Sequence, residues 1–297
     1  MRTPLVTIVI PSYNHARYIE ACVLSALAQT YPNIELIVID DGSTDGSVEI
    51  LDRLAREHGF QFYAQENMGL PRTLNKALEL SRGDYFCPMG SDDVMLPEKT
   101  ALQVAFLESH PEAGFCCGNA RFIDQNGDFI ARHNSRFKTE TILMDFNQYF
   151  GNRKAGVIAP STMIRTALLR EVGGYDTSIR LEDAAMWLKL TYMGHKIGFI
   201  HDIILHYRKH PTNTSKSARF MYENLLQTYE PYRNHPAYPR VFNRFLMTVF
   251  ITAAKRQQID LAREALAKIE PRFYNRKVVR GLVYLALAYL KKPFART

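Results

Sequence analysis

The sequence lacks a long apolar run, is poor in cysteine and tryptophan, and has no acidic side chain in residues 271–297. No stretch reaches the roughly 18 apolar residues that a membrane-spanning helix needs. The first apolar run, Leu5 to Pro11, is too short for a signal-peptide core and passes straight into polar Ser12, Tyr13 and Asn14. The four cysteines, Cys22, Cys87, Cys116 and Cys117, form no CxxC pair. Neighbouring Cys116 and Cys117 are badly placed to bridge each other, so reduced core thiols in a cytoplasmic setting are expected. There is no GxGxxG or GxxxxGK[ST] phosphate loop and no GxSxG elbow for acyl chemistry. The sequence patterns of nucleic-acid-binding modules are also missing, and no nucleic-acid partner is expected.

What is present suffices for a large core: 297 residues, 46% of them hydrophobic. The formal charge of +7 is concentrated at one end. Arg272, Arg276, Lys277, Arg280, Lys291, Lys292 and Arg296 account for all of it, and the residues before 271 sum to zero. A basic tail suits either an anionic surface or a plain solvated face.

Leu5 to Ile10 reads as a buried strand, and Ile19, Cys22, Val23, Ala26 and Leu27 as one face of a helix ending near Thr30. Ile34 to Ile39 predicts a second strand and residues 46–58 a second helix, with Ser43, Thr44 and Asp45 as capping candidates. Phe60 to Ala64, Pro71 to Leu80 and Tyr85 to Met89 continue the alternation as strand, helix, strand. Such alternation predicts an α/β fold, a mostly parallel sheet with helices on both faces. Ile158 to Ile164 and Ile197 to Ile200 read as strands, and Ala184 to Met193 as a helix. From Lys216 onward the pattern is helical, interrupted at Pro271 and resumed over Val278 to Leu290. The expected division is 1–215 and 216–297.

Parallel strands place their C-terminal ends along one edge, where ligands bind. The loops there carry Pro11-Ser12-Tyr13-Asn14, Asp40-Asp41-Gly42-Ser43 and Gly90-Ser91-Asp92-Asp93. Adjacent carboxylates at a strand end repel unless a cation sits beside them, and a hard divalent ion shares its oxygen ligands with substrate phosphates. Capping of the next helix remains the alternative for both acidic pairs. Glu182-Asp183, followed by Trp187, opens a helix; an ionised carboxylate of ordinary low pKa there would serve as a general base. Capping again competes. In Tyr207-Arg208-Lys209-His210 the cations would grip phosphate, and the HxxxH spacing of His206 and His210 lacks the further ligands of a zinc site.

Taken in order, these segments resemble family 2 glycosyltransferases of the inverting GT-A type. The likeness runs from about residue 5 to 215. It rests on VTIVIPSYNHARYIEACVLSALAQTYPNIELIVIDDGSTDGS, ENMGLPRTLNKALELSRGDYF, GSDDVMLPEKT, APSTMIRTALLREVGGYD, LEDAAMW and YRKH followed by Asn213-Thr214-Ser215. The resemblance implies a Rossmann-like catalytic domain using a nucleotide diphosphate-sugar, with uridine diphosphate as the default. It implies a divalent metal, Mn2+ or Mg2+, and a glycan or lipid-linked oligosaccharide acceptor in surface-polysaccharide synthesis of the O-antigen or capsule kind. Pro11 and Tyr13 would line the nucleotide pocket, and Asp41 would pair with the base. Asp93 would be the main metal ligand, with Asp92 nearer the ribose and His210 an additional ligand. Asp183 would be the catalytic base, Glu182 a helper and Trp187 a support for the acceptor. Arg208 and His210 would close over the diphosphate.

Two departures from the family pattern stand out. Gly90 occupies the place of the first carboxylate in DxDD. Thr73-Leu74-Asn75 replaces the ARN triplet, with Arg72 or Lys76 as the compensating cation. A nucleotide-sugar-binding protein with a degenerate DxD motif is the alternative reading. A nucleotidyltransferase would need a glycine-rich triphosphate loop where PSYN stands. For 271–297, an anionic membrane surface is expected on the inner face of the plasma membrane, with Tyr284, Leu285, Leu287 and Tyr289 near the lipid. A helical bundle packed on the catalytic domain or a second subunit is the competing reading.

Overall fold

The computed structural model describes residues 3–135, 142–151, 157–211 and 217–291. Asn213, Thr214 and Ser215, the expected boundary at 215/216, and the tail cations Lys292 and Arg296 lie outside the described residues. The chain divides into two compact units, Met1–His210 and Pro211–Thr297.

The first unit opens as alternating strands and helices: β1 (Val6–Ser12), α1 (Ile19–Leu27), β2 (Ile34–Asp41), α2 (Ser47–His58), β3 (Gln61–Gln65), α3 (Leu70–Leu80) and β4 (Tyr85–Pro88). It continues with β5 (Val94–Met95), α4 (Lys99–Ser109), β6 (Ala113–Ile123), β7 (Phe129–Ser135), β8 (Leu143–Met144) and α5 (Phe146–Gly151). It closes with β9 (Thr162–Arg165), α6 (Thr166–Glu171), α7 (Glu182–Tyr192) and β10 (Lys196–Arg208). The sheet runs β3-β2-β1-β4-β9-β6-β10-β5, with β7 on β6 and β8 on β10. Strands β3, β2, β1 and β4 are parallel, and β9 enters antiparallel between β4 and β6. Central β1 and β2 are buried on both faces, which their near-continuous Val/Ile runs require.

Local chemistry explains the helix ends. Ile19, Cys22, Val23 and Ala26 form the buried stripe of α1. At the head of α2, Asp45 Oδ1 accepts Ser47 N at 3.1 Å. At its tail, Gly59 takes φ +74° and returns its N–H to Ala55 O, a left-handed C-cap. Pro71 sits in the first turn of α3, where a missing N–H costs nothing.

Between β4 and α7 the structure adds elements that the sequence reading did not name, and three differences bear on the sheet. The strand expected from Ile158 begins only at Thr162, because Ala159–Ser161 turn as a 3-10 helix. The strand expected over Ile197 to Ile200 extends to Arg208, since its far half pairs with β6. Strand β6, absent from the sequence reading, lies deep in the sheet. Its small residues Gly114, Gly118 and Ala120 blunt the hydrophobic pattern but admit neighbours: a Cβ at Gly118 would stand 2.4 Å from Ile204 Cδ1. The four cysteines are buried free thiols.

The second unit contains α8 (Ala218–Tyr229), α9 (Tyr238–Lys255), α10 (Ile259–Ala267) and α11 (Arg276–Lys291) around its own core. Pro271–Phe273 form a 3-10 turn that separates α10 from α11. On α11, Val278, Leu285 and Ala288 join the core, while Val279, Leu282, Val283, Leu287, Tyr289 and Leu290 are exposed. This corrects the lipid-facing set: Leu285 is a core residue and Tyr284 packs against the core, so neither is available to a surface. No helix among the described residues is long and apolar enough to cross a membrane.

At the edge of the sheet where β1 begins, a buried polar knot ties β1, β2 and the α3–β4 loop. Thr7 Oγ1 donates to Glu35 Oε1, Ser81 Oγ donates to Thr7 Oγ1 at 2.7 Å, and Gly83 N donates to the same oxygen at 3.0 Å. Gly83 has no room for a methyl group, since a Cβ would lie 2.6 Å from Thr7 N and 2.9 Å from Tyr85 O, both backbone atoms. Gly83→Ala is expected to lower stability by about 1–3 kcal/mol, read from urea unfolding midpoints; an unchanged midpoint would show that the knot relaxes freely.

Candidate active site

The loops after β1, β2 and β4 meet at the C-terminal edge of the parallel strands, and hydrogen bonds stitch them together. Asn14, at φ +53°, accepts Thr44 N on Oδ1 at 2.9 Å and donates its own N–H to Ser43 Oγ at 2.8 Å. Ala16 N donates to Asp45 Oδ2 at 2.9 Å. Asp40 is fully buried and receives Ser12 Oγ, Ser43 N and Ser43 Oγ at 3.0, 2.8 and 2.7 Å. Its role is therefore to join loops. Asp41 accepts Gln65 Nε2, Met68 N and Gly69 N, each at 2.9 Å. Those three bonds leave about one of a carboxylate's four acceptor positions for a ligand. Gly42, at φ +82°, is required here because a Cβ would stand 2.8 Å from Asn67 N.

Tyr13 is 50% exposed at this edge and Pro11 is half-buried beside it. Arg72 is exposed on α3, whereas Lys76 donates to Gln65 Oε1 at 2.8 Å and so backs the Asp41 network. Asn75 grips the loop before α7 from both sides, donating to Tyr175 O at 2.8 Å and accepting Tyr175 N at 2.7 Å.

The pair after β4 divides its work. Asp93 is 2% exposed and accepts the backbone N–H of Arg208 at 2.7 Å. Burial, then the neighbouring Asp92, pushes its pKa well above the usual carboxylate range. Asp92 instead meets His210, with Nε2 to Oδ2 at 2.8 Å. His15 joins them: its Nδ1 contacts Ser91 Oγ at 2.7 Å, and its ring lies 5.7 Å from that of His210 at 86°. One ligand atom from each of His15, Asp92 and His210 lies within 4.8 Å of the other two. Ligand atoms about 2.1 Å from an ion stand at most about 4.2 Å apart, so closure by less than about 1 Å suffices. Burial, aided by His210 and opposed by Asp92, lowers the pKa of His15 and favours the neutral imidazole that metal binding needs. The donor set fits a divalent cation. His15 escaped the sequence reading because a lone histidine after Asn14 carries no spacing signal. His206, the other half of HxxxH, packs instead on Phe129, with rings 5.1 Å apart.

Arg208 is 6% exposed. Its Nε donates to Asp92 O at 2.7 Å, Nη1 donates to Asp124 O at 3.1 Å, and Cζ lies 4.7 Å over the Tyr18 ring. Its guanidinium thus clamps the 92–93 loop. Trp187 is buried among core residues beneath α7, which places it in the packing and not on an open acceptor face.

Glu182 and Asp183 begin α7. A low pKa was expected from the helix N-terminus, and both carboxyls are instead raised. Burial and the adjacent Asp183 push Glu182 to about 8; burial also raises Asp183, against the N–H of Ala184 on its Oδ1 at 2.6 Å. A helix end favours a carboxylate by about 0.3–1 kcal/mol, less than one pKa unit at about 1.4 kcal/mol, so desolvation wins. Burial thus raises the proton affinity of both carboxyls, and the charge of Asp183 adds to it at Glu182. The Tyr207 hydroxyl pKa is raised by burial, then by the charges of Asp93, Asp92 and Asp183.

Between the ordinary glutamate value of 4.5 and about 8, native Glu182 keeps a proton that the unfolded chain has released. Stability contributed by this group is accordingly lost as pH rises across that window. Urea midpoints measured at several pH values should fall with rising pH more steeply for the wild type than for Glu182→Gln, by about one or more kcal/mol in total. Parallel curves would mean that Glu182 is ionised throughout.

Compared with known proteins, the chain matches the family model described as Glycosyl transferase family 2 over residues 7–173. An uncharacterised glycosyltransferase of Rickettsia prowazekii is 30% identical over 235 residues, covering 77% of this chain and 70% of that one. Chondroitin synthase of Escherichia coli is 38% identical over 133 residues, 44% of this chain and 19% of the other. Among solved structures, S. aureus TarS 1–349 in complex with UDP-GlcNAc aligns at TM-score 0.62 and 17% identity, covering 98% and 93% of the two chains. A mannosyltransferase of Pyrobaculum calidifontis in complex with GDP-Man and Mn2+ aligns at TM-score 0.59 and 18% identity, covering 100% and 89%. At these identities the structural matches establish the shared GT-A fold.

Proposed function

Because this chain belongs to glycosyl transferase family 2, we propose that it is an inverting, metal-dependent transferase moving a sugar from a uridine diphosphate-sugar to an acceptor hydroxyl. The acceptor is a glycan or lipid-linked oligosaccharide in surface-polysaccharide synthesis. The observation that carries this reading is the cluster of His15, Asp92 and His210 at the C-terminal edge of the parallel strands, whose ligand atoms lie within 4.8 Å of one another. The buried carboxyl pair that opens α7, with its affinity for protons raised, supports a proton-accepting role. The nucleotides bound by TarS and by the Pyrobaculum mannosyltransferase support a nucleoside diphosphate-sugar donor.

In this reading Pro11 and the exposed Tyr13 flank the nucleotide, and Asp41 offers its remaining acceptor position to the base. Arg72, exposed on α3, supplies positive charge toward the nucleotide side. Asp92 takes over from Asp93 as the principal ligand, because Asp93 is buried and bonded to the Arg208 backbone while Asp92 faces His210. A divalent ion there supplies positive charge beside the departing diphosphate. Arg208 acts by holding the Asp92 carbonyl in place. Asp183 accepts the proton of the acceptor hydroxyl as that oxygen attacks the anomeric carbon opposite the diphosphate, and configuration inverts. The raised pKa strengthens it as a base. Neutral Glu182 beside it avoids a second negative charge and can donate a hydrogen bond to the acceptor.

Asp183→Asn is expected to keep uridine diphosphate binding by calorimetry and to lower turnover by about two to four orders of magnitude. Near-normal turnover would remove Asp183 from the mechanism, and failure of the wild type to bind any nucleoside diphosphate would favour a site that has lost its donor.

For the second unit we propose an anionic lipid surface as partner. The exposed apolar face of α11, Val279, Leu282, Val283, Leu287 and Leu290, is flanked by exposed Arg276, Lys277 and Arg280 with no acidic residue on the helix. That combination matches an apolar boundary beneath anionic headgroups. The wild type should float with phosphatidylglycerol vesicles, while Val283→Asp with Leu290→Asp should stay in solution. Equal flotation would refute the surface role.

A further inference from the structure

The cation site contains more imidazole than the sequence motif promised. His210 arrives from the end of β10 and His15 from the β1–α1 loop, so two histidines far apart in sequence converge on one carboxylate, Asp92. His15 is not loosely placed. Its backbone N–H donates to Ser47 Oγ at 3.2 Å, its neighbours Asn14 and Ala16 are bonded to the 43–45 loop, and Ser91 Oγ holds Nδ1. A ring nitrogen tied by a neighbouring group is what orients a ligating imidazole. Tyr18 walls the cluster, 6.0 Å from the His15 ring and 5.5 Å from that of His210.

The loop that carries Asp92 and Asp93 is tight at Gly90, where a Cβ would stand 2.8 Å from Asp93 Oδ2 and 3.1 Å from Asp92 Oδ1. A side chain there would make those carboxylates shift, whereas His15 reaches the cluster from another loop with them in place.

Resting on the metal-dependent reading above, we infer that His15 is a direct ligand of the bound divalent cation, and that the resulting set of two imidazoles and one carboxylate selects borderline transition-metal ions over magnesium. Imidazole suits transition-metal ions such as zinc, whereas magnesium prefers oxygen ligands and gives up its water reluctantly. Three protein ligands on an octahedral ion leave about three positions for diphosphate oxygens and water. Affinity for the metal alone then follows zinc and cobalt above manganese, and manganese above magnesium.

The test is calorimetric titration of the full chain with Co2+, Mn2+ and Mg2+ alone, for the wild type, His15→Ala, His210→Ala and Asp92→Ala. Loss of even an outer partner of a metal site costs about 10–100-fold in affinity, so His15→Ala should weaken Co2+ by at least about tenfold. Its effect on Mg2+ should stay within about twofold, since an imidazole contributes little to that ion. A proton spectrum of the Co2+-loaded wild type supplies a readout that needs no variant: two exchangeable imidazole N–H signals should be shifted far outside the ordinary range. Unchanged Co2+ affinity in His15→Ala, or a single shifted imidazole signal, overturns the inference. If Asp92→Ala and His210→Ala nevertheless lose the metal, the metal-dependent reading survives without it. A wild type that binds none of the three ions overturns both.

Discussion

The site is organised by the cost of keeping like charges close together in a dry place. Asp92 and Asp93 adjoin at the end of β4, and burial drives Asp93 away from its ordinary ionisation. The surrounding structure answers that cost with positive or donating groups. The N–H of Arg208 meets Asp93, its guanidinium holds the Asp92 carbonyl, and His210 meets the Asp92 carboxylate. These partners come from the last three residues of the first unit's chain, at and just beyond the end of β10.

The acidic residues of the neighbouring loops solve different problems with the same functional group. Asp40 is consumed by serines and joins two strand ends. Asp41 holds the 65–69 turn and keeps one position for a ligand. Glu182 and Asp183 are left with few donors in a buried corner, so their affinity for protons rises. Environment, not residue type, separates them: a carboxylate rich in hydrogen-bond donors is held as a structural acceptor, and one deprived of them binds its proton more tightly.

The α/β core and the GT-A fold were legible because their signals are local. Runs such as Val6 to Ile10 and Ile34 to Ile39 can only be buried strands, and glycines at 42, 59 and 69 mark turns that need positive φ. Strand β6 was not legible, since Gly114, Gly118 and Ala120 are chosen for close neighbours that appear only when β10 and β9 pack against it. The long reach of β10 was hidden because His201 and Asp202 interrupt its apolar run, which resumes at Ile203, Ile204 and Leu205 along β6. The exposed side of α11 was only partly legible: Leu287 and Tyr289 are exposed, but Leu285 and Tyr284 turn to the core, because periodicity does not say which face meets α9.

What the sequence determined by itself was the alternation of strands and helices through β4, the family, and the edge of the sheet on which acidic pairs collect. Each follows from short-range pattern, where spacing along the chain stands for geometry. The tertiary structure alone decided which acid meets His210, that His15 lies beside them, that Arg208 turns inward, and that burial raises the proton affinity of Glu182. Those outcomes depend on desolvation and on contacts between segments up to about 195 residues apart, such as His15 with His210. Electrostatic energy varies with distance and burial, and neither is written in the order of residues.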